Sequence, residues 1–179
     1  MRSALALLFF ALLSVSTPAR ADDAYAPSPF RVYAGPALWV PFYINDVYAV
    51  GGTVAFQWSF DARRVLFVGG RVAILEDPQG IGARYYGGIF DAEIGARPRL
   101  VTHGQSAFAL VASGGAGGTF INCSCSAPTQ GFAHLALRAG VGFDAGAFTM
   151  DALGGVALLA NDTGFGGTTE VVVDFGARF

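Results

Sequence analysis

The chain contains no lysine: all 11 of its Lys-plus-Arg positions are arginine, set against 13 acidic residues and two histidines. Charged residues make up only 13% of it, where a soluble domain carries about 25%. The net charge of -2 gives no electrostatic case for nucleic acid as a partner. There are two cysteines, too few for a disulfide framework. Beyond the first ~21 residues no apolar run is long enough for a helical membrane span. Heptads, low-complexity blocks and linkers are missing, and composition does not shift after residue 30. What remains is rich in glycine (25 residues) and in aromatics (13%). That balance suggests a β protein whose outer surface does not face water.

The start of the chain reads as an export signal. Arg2 precedes the apolar stretch "ALALLFFALLSV", and "ARA" at 19–21 is a small-x-small cleavage pattern followed by Asp22 and Asp23. The apolar stretch has the length of a signal core rather than of a span. Cleavage is expected near Ala21, giving a signal peptide over 1–21, a polar lead-in over 22–29 and one domain over 30–179.

Period-2 alternation then recurs along the chain, the mark of strands with two unlike faces. It predicts eight strands, at about 30–40, 47–60, 65–75, 83–100, 107–121, 131–143, 147–160 and 168–179. One parity is apolar: Val54, Phe56 and Trp58; Val68, Val72 and Ile74; Leu135, Leu137 and Val141; Val171, Val173 and Phe175. The other carries Arg31, Gln57, Arg71, Asp91, Glu93, Arg97, His134, Arg138, Asp151, Glu170, Asp174 and Arg178.

Alternation alone fits two barrels, a lipocalin-like one with a polar exterior and a membrane barrel with the reverse. Three features favour the membrane. The polar parity is mostly Gly, Ala, Ser and Thr, too sparse in charge for a solvated exterior. Its charges are of mixed sign, as buried pairing requires. Phe30, Trp58, Phe60, Phe108, Phe143, Phe148 and Phe179 fall at one rim, as an interfacial belt would. Connections alternate between short ("DARR", "THGQ", "DAG") and longer ("PFYIND", "EDPQGIG", "NCSCSAPTQ", "NDTGFGG"), the asymmetry of periplasmic turns and outer loops. The predicted fold is all-β: an eight-stranded antiparallel up-and-down transmembrane barrel.

With its signal peptide, its alternating strands and its ending "EVVVDFGARF", the chain resembles the small eight-stranded outer-membrane β-barrels of Gram-negative bacteria. The resemblance implies an outer-membrane location among its lipids. It also implies recognition by the barrel-assembly machinery through the last strand, with Phe175 and Phe179 as the signal. It is specific for architecture and unspecific for activity, because one fold hosts many functions. A monomer is expected, and no extracellular partner is indicated.

Candidate sites are few. Arg138, Asp151, Asp174 and Arg178 are expected to form one ionic cluster in the lower barrel. Arg71, Asp91, Glu93 and Arg97 supply the other interior charges. Either set could line a narrow polar path for small solutes, but charges in so narrow a lumen pair to fill it. Lipid A-modifying enzymes of similar architecture use a His, a Ser and an acid. Here His134 is followed by Leu135 and Ala136 and points inward, and His103 lies in a short turn. No nucleophile with its base within reach is evident, so no catalytic residue, cofactor or metal ligand is assigned. Cys123 and Cys125 could form a loop disulfide in an oxidising compartment, although a bridge across one residue closes a strained ring. The functional expectation is a structural or surface-interaction barrel rather than an enzyme.

Overall fold

A computed structural model describes residues 29–41, 48–78, 85–123 and 129–179, apart from the side chains of Tyr85 and Cys123. The possible bridge between Cys123 and Cys125, and the segment 1–28, lie outside the described residues. Nine strand segments are present: β1 (Phe30–Pro41), β2 (Ala49–Ser59), β3 (Leu66–Glu76), β4 (Tyr85–Ala96), β5 (Arg99–His103), β6 (Ser106–Cys123), β7 (Gln130–Ala145), β8 (Phe148–Asn161) and β9 (Gly164–Arg178). Sequential antiparallel pairing runs around the sheet, and β1 pairs β9 to close it. Both β4 and β5 pair β6, so together they form one stave of an eight-stave barrel.

The break between β4 and β5 has a local cause. Pro98 has no N–H to give the ladder, and the register shifts between Arg99 and Val101. Backbone bonds from Arg97 N to Val65 O at 2.7 Å and from Leu110 N to Pro98 O at 3.0 Å carry the pairing past the interruption. The expected fourth strand, 83–100, is thus bulged and runs on to His103.

Two faces separate as the alternation requires. Val54, Phe56, Val72, Ile74, Phe90, Ile94, Leu135, Leu137, Val141 and Val171 are exposed on the outer surface. Arg31, Arg71, Asp91, Glu93, Arg97, His134, Arg138, Asp151, Glu170 and Asp174 are buried inside. A barrel with its charges inside and Ile74 70% exposed faces hydrocarbon, not water, and this overturns the lipocalin-type alternative. Closure also satisfies the backbone, since lipid offers no hydrogen bonds to a free sheet edge.

The aromatic rim is present at the end where β1 begins and β9 finishes. Phe30 lies opposite Trp58, Phe108 stacks on Phe143 with ring centres 4.9 Å apart, and Trp58 approaches Phe60 at 6.4 Å. Tyr33, Trp39 and Phe67, however, point inward and are buried. The lumen therefore holds large rings as well as small residues.

Two expectations about connections need correction. The connection predicted over 161–167 is only Asp162–Thr163, because β9 begins at Gly164. Asn161 Oδ1 accepts from Thr163 N and Gly164 N, each at 3.0 Å, and from Thr163 Oγ1 at 2.8 Å, which builds the turn from one side chain. The glycines at 164, 166 and 167 carry no side chains to display a period. The "DAG" turn is also shorter than expected, with Gly146 and Ala147 at its tip and Ala145 opposite Phe148. Gly146 has φ +57 and Gly104 φ +55, the left-handed first position that two-residue hairpins of the II′ type need.

The parity assignment makes a quantitative claim. Arginine at Val156 or Leu137, on the lipid face, should cost about 2–4 kcal/mol near the midplane. Arginine at Ala157, which is 0% exposed inside the barrel, should instead block folding by overfilling the lumen. Urea unfolding in lipid vesicles checks both, and neutrality of the lipid-face changes would refute the assignment.

Candidate functional site

The lumen holds two ionic layers. Residues of β3, β4, β7 and β9 converge in the first. Arg138 meets Asp91 Oδ2 and Glu93 Oε1, both at 2.6 Å, and Glu170 Oε1 at 2.7 Å. Arg71 bridges Glu93 at 2.9 Å and Asp174 at 2.8 Å, and donates to Thr53 Oγ1 at 3.1 Å. His134 Nδ1 lies 2.6 Å from Asp91 Oδ1. Trp39 donates its indole N–H to Glu170 Oε2 at 3.0 Å and stacks obliquely on His134, ring centres 5.6 Å apart. Four carboxylates thus surround two guanidinium groups.

The second layer lies nearer the aromatic rim. Arg97 holds Asp144 at 2.9 Å and Asp151 at 2.7 Å. Thr149 donates to Asp144 at 2.8 Å, Arg31 donates to Ser59 at 3.2 Å, and Tyr33 donates to Gln57 at 3.3 Å. Arg31 and Arg178 approach Asp144 more loosely, at 3.9 and 3.8 Å. Arg178 also donates to the carbonyls of Gly146 and Gln105, tying the last strand to two turns.

Glycine makes room for both layers. A Cβ on Gly142 would sit 2.5 Å from Arg97 Nη2 and 2.6 Å from Asp151 Oδ1. One on Gly115 would sit 3.1 Å from Arg138 Nη1 and 3.3 Å from Asp91 Oδ2. Apolar residues fill the rest. Phe67, Val111 and Leu153 form one buried cluster, and Ala37, Trp39, Ala73, Leu75, Ile89, Ala136, Ala157 and Val172 form another at the opposite end from the rim.

The expected single cluster of Arg138, Asp151, Asp174 and Arg178 is not what the structure assembles. Asp151 and Asp174 are register partners, but Asp151 pairs with Arg97, Asp174 with Arg71, and Arg138 with acids of β4 and β9. The reason is register. The tighter turn at Gly146 moves β8 along β7 by two residues, which preserves faces but sets Asp151 opposite Gly142. Arg97, grouped with Asp91 and Glu93 from the sequence, lies four residues further along the stave than Glu93 and pairs with Asp144 and Asp151 instead. Asp144, assigned to a turn, is fully buried and is the hub of the second layer. Its parity, shared with His134 and Arg138, was the available signal.

This is the architecture of a small transmembrane barrel with a side-chain-filled lumen, and solved structures share it. The chain is similar to Neisserial surface protein A (NspA), with TM-score 0.64 and 12% identity over 85% of this chain and 98% of that one. It is also similar to Ail, the attachment invasion locus protein of Yersinia pestis, with TM-score 0.55 and 15% identity over 86% of this chain and 100% of that one. A second Ail structure, in complex with the heparin analogue sucrose octasulfate, gives TM-score 0.52 and 16% identity over 85% and 97%. No family model and no curated protein matches the sequence. The chain thus has the fold of the small eight-stranded outer-membrane barrels.

Removing one member of the first layer should be costly. Arg138→Met leaves Asp91 and Glu170 without their guanidinium partner and should destabilise the barrel by about 3–5 kcal/mol. Thr53→Val, which removes only one neutral acceptor from the charged Arg71, should cost less, about 1.5 kcal/mol. Equilibrium unfolding in lipid vesicles compares them, and equal losses would refute the layer's central role.

Proposed function

We propose that the chain is a small outer-membrane protein of structural or surface-interaction type with a closed lumen. The observation that carries this reading is the first ionic layer, in which Arg71 and Arg138 are clasped by four carboxylates from two strands. Apolar clusters flank that layer, and an eight-stranded barrel is only wide enough for its own side chains. The buried His134–Asp91 pair serves the same filling, with Trp39 against the ring and Arg138 on the carboxylate.

On this reading residues 1–21 are removed on export, 22–29 precede the barrel, and the aromatic rim faces the periplasm. The assembly machinery engages the last strand through Phe175 and Phe179, both exposed on the outer surface. The opposite rim faces outward. Among the described residues its connections and flanks carry Glu76, Asp77 and Asp162 and no basic residue. That acidic balance argues against a sulfated polyanion such as the heparin analogue seen with Ail.

Two measurements test this. In planar bilayers the refolded protein should give no steady single-channel conductance; stepwise conductance would replace the closed reading with a narrow pore. Deleting Phe179 should reduce the heat-modifiable, folded form in outer-membrane extracts by more than deletion of 124–128 does. The reverse order would refute the assembly role of the last strand.

A further inference from the structure

Three turns join strands at the aromatic rim, and one of them is built differently from the other two. The β5–β6 and β7–β8 turns put glycine in the left-handed region, Gly104 at φ +55 and Gly146 at φ +57. The β2–β3 turn puts Arg64 there, at φ 54, the one non-glycine residue with positive φ among the described residues. A Cβ strains that backbone, and glycine is its usual occupant. Asp61 holds the turn in shape. Its Oδ1 accepts from Leu66 N at 2.7 Å and its Oδ2 from Arg63 N at 3.0 Å. Its carbonyl accepts from Arg64 N at 3.1 Å. An arginine held against the preference of its own backbone points to a use for its side chain.

Arg63 and Arg64 make this turn cationic. Arg63 is exposed, and its guanidinium has no partner among the described residues. Arg64 donates from Nη1 to Ser59 O at 2.8 Å, which anchors its head at the end of β2. Both oxygens of Asp61 are engaged by backbone N–H groups, so that carboxylate closes the turn instead of pairing with Arg63. Trp58 and Phe60 stand on the outer surface beside the turn, 50% and 44% exposed, with ring centres 6.4 Å apart. The other two turns at this rim contain no arginine. Rings of this kind mark the depth at which lipid headgroups begin. The two guanidinium groups follow them directly along the chain, at the level of the phosphates. A guanidinium matches a phosphate with a fork of parallel donors.

We infer that the β2–β3 turn binds the headgroup of an anionic phospholipid, with Arg63 and Arg64 on its phosphate and its acyl chains against Trp58 and Phe60. The occupant is a membrane lipid because the two cations adjoin the lipid-facing band. Free phosphate brings no chains for Trp58 and Phe60 to meet. A zwitterionic lipid carries the same phosphate together with a cation that the turn repels. A purely structural role for Arg64 accounts for its bond to Ser59. It does not account for Arg63, or for an arginine where both neighbouring turns use glycine. Membrane insertion of the fold is all that this site requires. It holds for a closed lumen and for a conducting one, and for either direction of insertion.

Trp58 reports on the lipid beside the turn, while Trp39, buried inside the lumen, adds a constant background. The protein would be refolded into phosphatidylcholine vesicles with a minor share of brominated lipid, either phosphatidylglycerol or phosphatidylcholine, the same in both leaflets. Bromine quenches tryptophan emission at close range. Brominated phosphatidylglycerol should quench as though its share beside Trp58 were at least about threefold its bulk share, with brominated phosphatidylcholine at its bulk share. Arg63→Gln and Arg64→Gly should each reduce that excess and together abolish it. The folded gel mobility should be kept, because Arg63 is exposed and glycine suits the backbone at 64. Equal quenching by the two lipids overturns the site, as does an excess that survives the double substitution. Inorganic phosphate, set against chloride at equal ionic strength, should leave the excess in place. Its loss would mean that the turn takes free phosphate, and would overturn the lipid assignment. Should the double variant fail to fold, Arg63→Gln decides alone.

Discussion

Arg138 sits inside the barrel with its guanidinium against carboxylates of two other staves, Asp91 and Glu93 of β4 and Glu170 of β9. An ion buried this deeply is not a source of net stability, because desolvation offsets most of the Coulombic gain. What it supplies is selectivity. Each guanidinium presents a fixed fork of donors, and only one register of the strands brings these acids to it. Arg71 repeats the device within the same layer, and Arg97 repeats it in the second. The lumen thus specifies strand register in a sheet whose lipid face, a smooth apolar band, specifies little.

The same constraint explains the glycines. Gly142 and Gly115 lie where guanidinium groups cross the wall, and side chains there would occupy the space of the ion pairs. High glycine content in this chain is therefore not looseness. At these positions it is the complement of a long side chain on a neighbouring stave, and it keeps the interior filled without strain.

The faces of the strands were legible because side chains alternate with a period of two and all the interior charges share one parity. Which face turned inward was legible because those charges were few and mixed in sign. Partners across the lumen were not, since they depend on register, and register depends on short turns. Gly146 shifted β8 by two residues and so moved Asp151 from Arg138 to Arg97. Arg97, two residues further along the same face than Gly95, met Asp144 of another stave rather than the acids of its own. Gly164, Gly166 and Gly167 hid the start of β9, and Tyr33, Trp39 and Phe67 were hidden inside because an apolar residue on the polar parity leaves no mark. A pair of small and long side chains facing one another, such as Gly142 with Arg97, is the signal that would have found the layers.

Pairing of β1 with β9 joins the most distant parts of the described chain, Arg31 opposite Arg178. Of the pairings in the sheet, this one carries the largest loop-closure cost. The same strand carries Glu170 to Arg138, Asp174 to Arg71, and Arg178 to the two turn carbonyls. Topological closure and these ionic contacts therefore depend on the same strand. A sheet that has curled but not yet met its first strand therefore has an open edge and an incomplete interior together.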